Sequence, residues 1–238
     1  MARRLLAAVL LVGVVAGCSA SEGLPTSEPP ATTTTTTSTT ASTPTTTTDP
    51  GTPPGPSIES VGWQVTVYYT AVESFHGDAR RGVTGCPKLE CQHGNDDLGS
   101  YPKSFVKAVE DEGTGRITSG ERAGKYLNWS SDTGYWLDTA PRNANGGVLE
   151  PFRSAAADGL AQGSKISLVR CGRTSEGTAV VPDVCSKLSA ATWSITDAFT
   201  PGLGGDLHID LYVGEETGPG FKENPLYTTL EQAVLRIS

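Results

Sequence analysis

Long apolar runs are scarce in this chain of 238 residues. The most extended one, Leu5 to Ala16, is shorter than the ~20 residues a helix needs to cross a bilayer. Basic residues are few: 18 Lys and Arg stand against 26 Asp and Glu, for a formal charge of −8. Recognition of nucleic acid rests on Lys and Arg meeting phosphates, so that class of partner is excluded. Three common catalytic signatures are missing as well. There is no Gly-x-Ser-x-Gly, no His-Glu-x-x-His and no phosphate-cradling glycine loop, which removes the usual forms of serine hydrolase, zinc protease and nucleotide hydrolase. No internal repeat is evident, and no motif implies a cofactor.

What is there begins at the N-terminus. Arg3 and Arg4 precede the apolar run, the layout of a signal peptide spanning residues 1–17. Val15-Ala16-Gly17-Cys18 resembles a lipobox, at which bacteria lipidate the cysteine and cut before it. Lipidation at Cys18 predicts an exported chain anchored on the outer face of the cytoplasmic membrane, because acyl chains bury CH₂ groups at about 0.8 kcal/mol each. Loss of Arg3 and Arg4 takes the charge from −8 to −10. Residues 18–56 are dominated by Thr, Ser and Pro, with threonine runs at Thr32 to Thr37 and Thr45 to Thr48. Such a segment cannot bury enough surface to offset chain entropy. It is expected to be a disordered tether stiffened by its prolines, and its composition also suits an O-glycosylated stalk.

Residues 57–238 are the right size for one domain. Four cysteines fall there: Cys86, Cys91, Cys171 and Cys185. An even count in an exported chain predicts two disulfides. Four cysteines allow three pairings, of which proximity favours Cys86–Cys91 and Cys171–Cys185. The rival is a zinc site built from Cys86, Cys91, His76 and His93. An oxidising compartment favours disulfides over metal, so no metal is expected.

Trp63 to Thr70 alternates in polarity and is rich in β-branched and aromatic residues, a strand pattern. Further strands are expected at residues 115–117, 134–138, 165–169, 190–196, 208–213 and 233–237. Residues 73–99 read as a long loop, and residues 101–112 as one short helix. Many short strands with turns between them predict an all-β domain with long loops and little helix.

Three segments carry a resemblance. Ala155-Ala-Ala-Asp158-Gly leads through Gly163 into a strand, Thr196-Asp197 opens a glycine-rich loop, and His208-Ile-Asp210-Leu-Tyr-Val-Gly214 is a strand ending in glycine. Together they resemble the 3D (three-aspartate) domain, a double-psi β-barrel shared with the catalytic barrel of MltA-type lytic transglycosylases. The second segment departs from the pattern: its Gly-Gly lies further from the aspartate, which leaves Asp206 as a rival to Asp197. A Trp-Gly common in relatives is absent after Glu215.

The resemblance implies a cofactor-free enzyme that cleaves peptidoglycan glycan strands. It also implies Asp158, Asp197 and Asp210 as the catalytic acids, with Asp210 as acid and base. Asp210 alternates with apolar Ile209 and Leu211, which places it on the opposite face of its strand. His208 and Tyr212 share that face and are candidate sugar contacts. Trp136, flanked by polar loops, is the candidate stacking platform. The competing reading is an inactive barrel that binds peptidoglycan or an envelope protein.

Overall fold

The computed structural model describes residues 57–238. The expected signal peptide over 1–17, the expected lipidation at Cys18 and the expected tether over 18–56 lie outside the described residues. In chain order the elements are β1 (Ile58–Val72), β2 (Arg80–Gly85), β3 (Asp96–Pro102), α1 (Lys103–Glu112), β4 (Thr114–Arg116), β5 (Tyr126–Ser130) and β6 (Gly134–Asp138). They continue as β7 (Ser154–Ala157), β8 (Lys165–Arg170), β9 (Arg173–Thr174), α2 (Pro182–Ser189), β10 (Trp193–Asp197), β11 (His208–Glu215) and β12 (Leu230–Ile237).

Six of the strands close on themselves in the order β1-β11-β7-β10-β8-β12, with β12 pairing back onto β1. Two pairs are parallel, β1 with β11 and β7 with β10; the other four contacts of the ring are antiparallel. The domain is therefore an all-β, double-psi type barrel. Closure removes the unpaired edges an open sheet would present. Along β1 the side chains of Trp63, Val65, Val67, Tyr69 and Ala71 enter the core, where Ile166, Trp193, Ile195, Ile209, Leu211 and Leu235 meet them. The period of two visible in the sequence is thus a true inside–outside alternation.

β1 outruns the barrel, and its last residues pair with β4. From there β4, β5 and β6 extend the sheet into a side lobe. α1 covers that lobe with Phe105, Val106, Ala108 and Val109. Gly115 makes the contact possible, since a Cβ there would lie 2.4 Å from Val109 Cγ2 and 2.7 Å from Phe105. The helix ends at Gly113, whose φ of 85° places it in the left-handed region and whose N–H bonds the Val109 carbonyl, the usual terminator.

Several local expectations change. The long loop over residues 73–99 contains the hairpin strand β2 and the start of β3. Their glycines and charges hide the strand pattern, and buried Glu73 supplies order instead by accepting N–H bonds from Thr118 and Ser119. β7 is Ser followed by three alanines, read from sequence as a mere apolar lead-in. β5 and α2 have no counterpart among the expected elements. Disulfides join Cys86 to Cys91 and Cys171 to Cys185, so those sulfurs are unavailable to the rival zinc site.

Candidate active site

Three adjacent strands bring two acids to one place. Ala156 of β7 is the register partner of Asp210 on β11 and of Asp197 on β10. Two strand spacings separate the acids, on the order of 10 Å between backbones. Ala155 and Ala157 point into the core, so Ala156 faces outward, and its single methyl leaves the space between the acids open. Asp197 reaches this face through a register break. Ile195 pairs with Ala155 and Asp197 with Ala156, which leaves one extra residue on β10. Without that bulge, Asp197 would follow Ile195 into the core; the bulge re-aims it outward.

Above this floor is a cleft of about 500 Å³. Its walls come from the end of α1, the turn after β5, the segment around 142–149 and the loop after β10. Asp210 sits at its base, half-buried, and its Oδ1 has no hydrogen-bond partner among the described residues. Burial pushes its carboxyl up to about 7, with the Asp197 charge adding to the rise and Thr66 and the Leu211 N–H opposing it. A carboxyl at that value is partly protonated at neutral pH, and so can both give and take a proton.

Asp197 differs in kind. It is buried, and its Oδ1 accepts the N–H groups of Ala198 (2.9 Å) and Ala144 (3.2 Å) while Oδ2 accepts the Tyr68 hydroxyl at 3.2 Å. Burial raises its pKa and these three donors oppose the rise. Its oxygens are committed, which suits a fixed charge beside Asp210 better than a nucleophile.

His208 lines the cleft. Its Nε2 lies 2.9 Å from Thr66 Oγ1, and its ring stacks on Phe199 at 4.4 Å between centroids. Burial lowers its pKa, which favours the neutral ring.

Asp158 does not enter the cleft. It is exposed and accepts the Phe199 N–H at 3.3 Å, and a Cβ at Gly204 would lie 1.9 Å from its Oδ2. It braces the loop after β10, the turn role open to any Asp before a glycine. Asp206, the rival for the second position, is exposed and outside the cleft. Tyr212 is buried beneath the floor, with its hydroxyl 2.6 Å from Thr70 Oγ1 and its ring 5.2 Å from Tyr68. Trp136 is fully buried, because the Cys86 backbone pairs with β6 on both sides of it and seals the strand that the flanking loops seemed to expose. Neither is positioned to touch a ligand in this cleft, which corrects the expectation for both.

Trp129, half-buried, is the indole that lines the cleft. Glu112 lines it too and was not among the residues expected at the site. It is the last residue of α1, accepts the Tyr227 hydroxyl at 3.0 Å and lies 3.6 Å from Lys222. Burial pushes it up to about 8, against Lys222 and Tyr227. The helical spacing from Phe105 and Ala108 marks its face as buried, and a carboxylate on a buried face was the available clue. Among the described residues no cluster of three or more His, Cys, Asp or Glu is arranged to hold a metal.

No protein-family model and no curated protein sequence matches the chain. Solved structures similar to it include Escherichia coli MltA with bound chitohexaose (12% identity, 74% of this chain and 71% of that one, TM-score 0.46). A membrane-bound lytic murein transglycosylase from Agrobacterium tumefaciens is also similar (13% identity, 74% and 73%, TM-score 0.46). A third is the lytic transglycosylase LtgG of Burkholderia pseudomallei (13% identity, 74% and 71%, TM-score 0.40).

Proposed function

We propose that the domain cleaves peptidoglycan glycan strands as a lytic transglycosylase, with Asp210 as both acid and base. The observation that carries this reading is the inequality of the two acids beside Ala156. Asp210 holds a proton near neutrality and its buried Oδ1 has no hydrogen-bond partner among the described residues, whereas Asp197 is tied by three donors. Hydrolysis by either familiar route needs a second free carboxylate, to attack the sugar or to activate water. Of the two acids beside Ala156 only Asp210 is untied, and a single such acid suits the intramolecular route.

In that route the Asp210 carboxyl protonates the leaving glycosidic oxygen as the bond from C1 of N-acetylmuramic acid breaks. The Asp210 carboxylate then takes the proton of the muramyl 6-hydroxyl as O6 bonds to C1. A 1,6-anhydro ring and a free N-acetylglucosamine hydroxyl result, and Asp210 ends protonated as it began. Asp197 raises the proton affinity of Asp210 by its charge, Trp129 offers a face for sugar stacking, and His208, held by Thr66, walls the cleft. On this reading the chain is held facing the wall by lipid on Cys18, with residues 18–56 as the spacer.

The test is incubation of the purified protein with peptidoglycan and mass analysis of the products. Anhydro-muropeptides from the wild type and none from Asp210→Asn are expected; equal release from both would end the assignment. The place of Asp158 outside the cleft favours the second reading, a barrel that binds glycan without cutting it. Glycan retention with no released product would support that one.

A further inference from the structure

The barrel carries a second concavity, about 810 Å³, that shares walls with the cleft. Thr196 lines this groove and Asp197 the cleft; Val148 and Glu150 line the groove and Leu149 the cleft. The two are therefore the two sides of one wall, made from β10 and the segment before β7.

Their charges are opposite. Carboxyls predominate in the cleft, where Glu110, Asp111, Glu112, Asp132, Asp197 and Asp210 face Arg142 and Lys222. The groove gathers Arg153 from the turn before β7, Lys165 from β8 and Lys187 from α2, with Glu150 as its carboxylate. Arg153 lies 3.8 Å from Glu150 and both are exposed, so that pair is loose and solvated. Lys165 reaches the Ser194 hydroxyl. In a chain of net charge −8, three converging cations form a local field that attracts anions.

Phe152 is the second observation. Its φ of 57° lies in the left-handed region, uncommon for a bulky residue. It stays there because its N–H bonds the Tyr212 carbonyl while Arg153 and Ser154 N–H groups bond the Glu150 carbonyl. The result holds the ring on Trp193 (5.9 Å) with Lys187 Nζ 5.0 Å from its centroid. Strain maintained by its neighbours at the edge of a cavity points to use. An apolar platform ringed by cations fits a ligand with both methyl groups and carboxylates.

We propose that this groove binds the carboxylate-bearing peptide stem of the glycan strand whose sugars occupy the cleft. The proposal rests on the glycan reading above. A stem peptide leaves the muramyl ring beside the bond to be cut, so its binding site must adjoin the acid; the shared wall meets that condition. Alanine methyls of the stem lie on Phe152, and its carboxylates meet Arg153, Lys165 and Lys187.

The test uses the full chain with two substrates, peptide-bearing glycan strands and the same strands stripped of peptide by an amidase. The triple variant Arg153→Gln/Lys165→Gln/Lys187→Gln alters exposed side chains, and its unfolding temperature verifies folding. Expected is a roughly tenfold rise in KM on peptide-bearing strands, about what is lost when three weak exposed ion pairs are removed, with no change on stripped strands. In parallel, a free stem tetrapeptide is titrated into each protein by NMR at low and high salt. Weak, salt-sensitive binding by the wild type, lost in the variant, is expected. Equal KM values for the variant and wild type on peptide-bearing strands, with no peptide binding, overturn the groove while leaving the cleft chemistry intact. Peptide binding without cleavage of either strand overturns the cleft chemistry while leaving the groove. Binding of a phosphodiester polymer in place of the peptide also overturns the proposal.

Discussion

Replacing Asp210 by Asn tests the acid without reference to any substrate. In the folded protein this carboxyl holds its proton up to about 7, against an ordinary 3.8. The unfolded chain releases the proton near 3.9. Between those values the folded state binds more protons, so the contribution of Asp210 to stability is full below about pH 4, declines as pH rises and is lost above about 7. Three decades at 1.36 kcal/mol each set the loss at roughly 2–4 kcal/mol, the lower end reflecting water at the open side of the cleft. Asn has nearly the same shape and no charge to bury. The variant should therefore match the wild type near pH 4 and exceed it increasingly toward pH 8, by roughly 5–15 °C in melting temperature for a domain of this size. Thermal unfolding by circular dichroism across that range measures the gap. A gap that does not change with pH would refute the claim that Asp210 resists ionisation, and with it the acid role.

Other outcomes follow from the same geometry. Activity should fall as pH rises through about 7, where Asp210 loses its proton, and Asp197→Asn should move that fall to lower pH by removing the adjacent charge; an unmoved profile would deny Asp197 its positioning role. Ala156→Leu should fill the space between the acids and cut turnover at least 100-fold, since displacing the reacting groups by ~1 Å has that effect, while circular dichroism reports an intact barrel. Converting Cys171 and Cys185 to Ser opens a loop of sequence separation 14 and should cost about 3 kcal/mol in denaturant unfolding, with cleft activity retained at low temperature.

Features that depend on local pattern were legible in the sequence. The alternation of Trp63, Val65 and Val67 marked β1, the apolar spacing of Phe105, Val106 and Val109 marked α1, and Asp210 between Ile209 and Leu211 marked an acid facing away from the core. Short-range constraints sufficed there, because side-chain direction follows from the backbone period alone. The two disulfides followed from proximity along the chain.

Long-range strand pairing fixed the other features. Asp158, before a glycine turn, and Asp197, at a strand end, were both expected at the site, yet one braces an exposed loop and the other is turned into the cleft by a one-residue bulge. Trp136 fell in an expected strand and Trp129 in none, yet strand pairing sealed the first and left the second lining the cleft. Glu112 became a cleft residue only because the side lobe folds its helix end toward β11. Each of these outcomes depends on which strand lies beside which, and pairing between residues far apart in the chain leaves no periodic trace within any one segment.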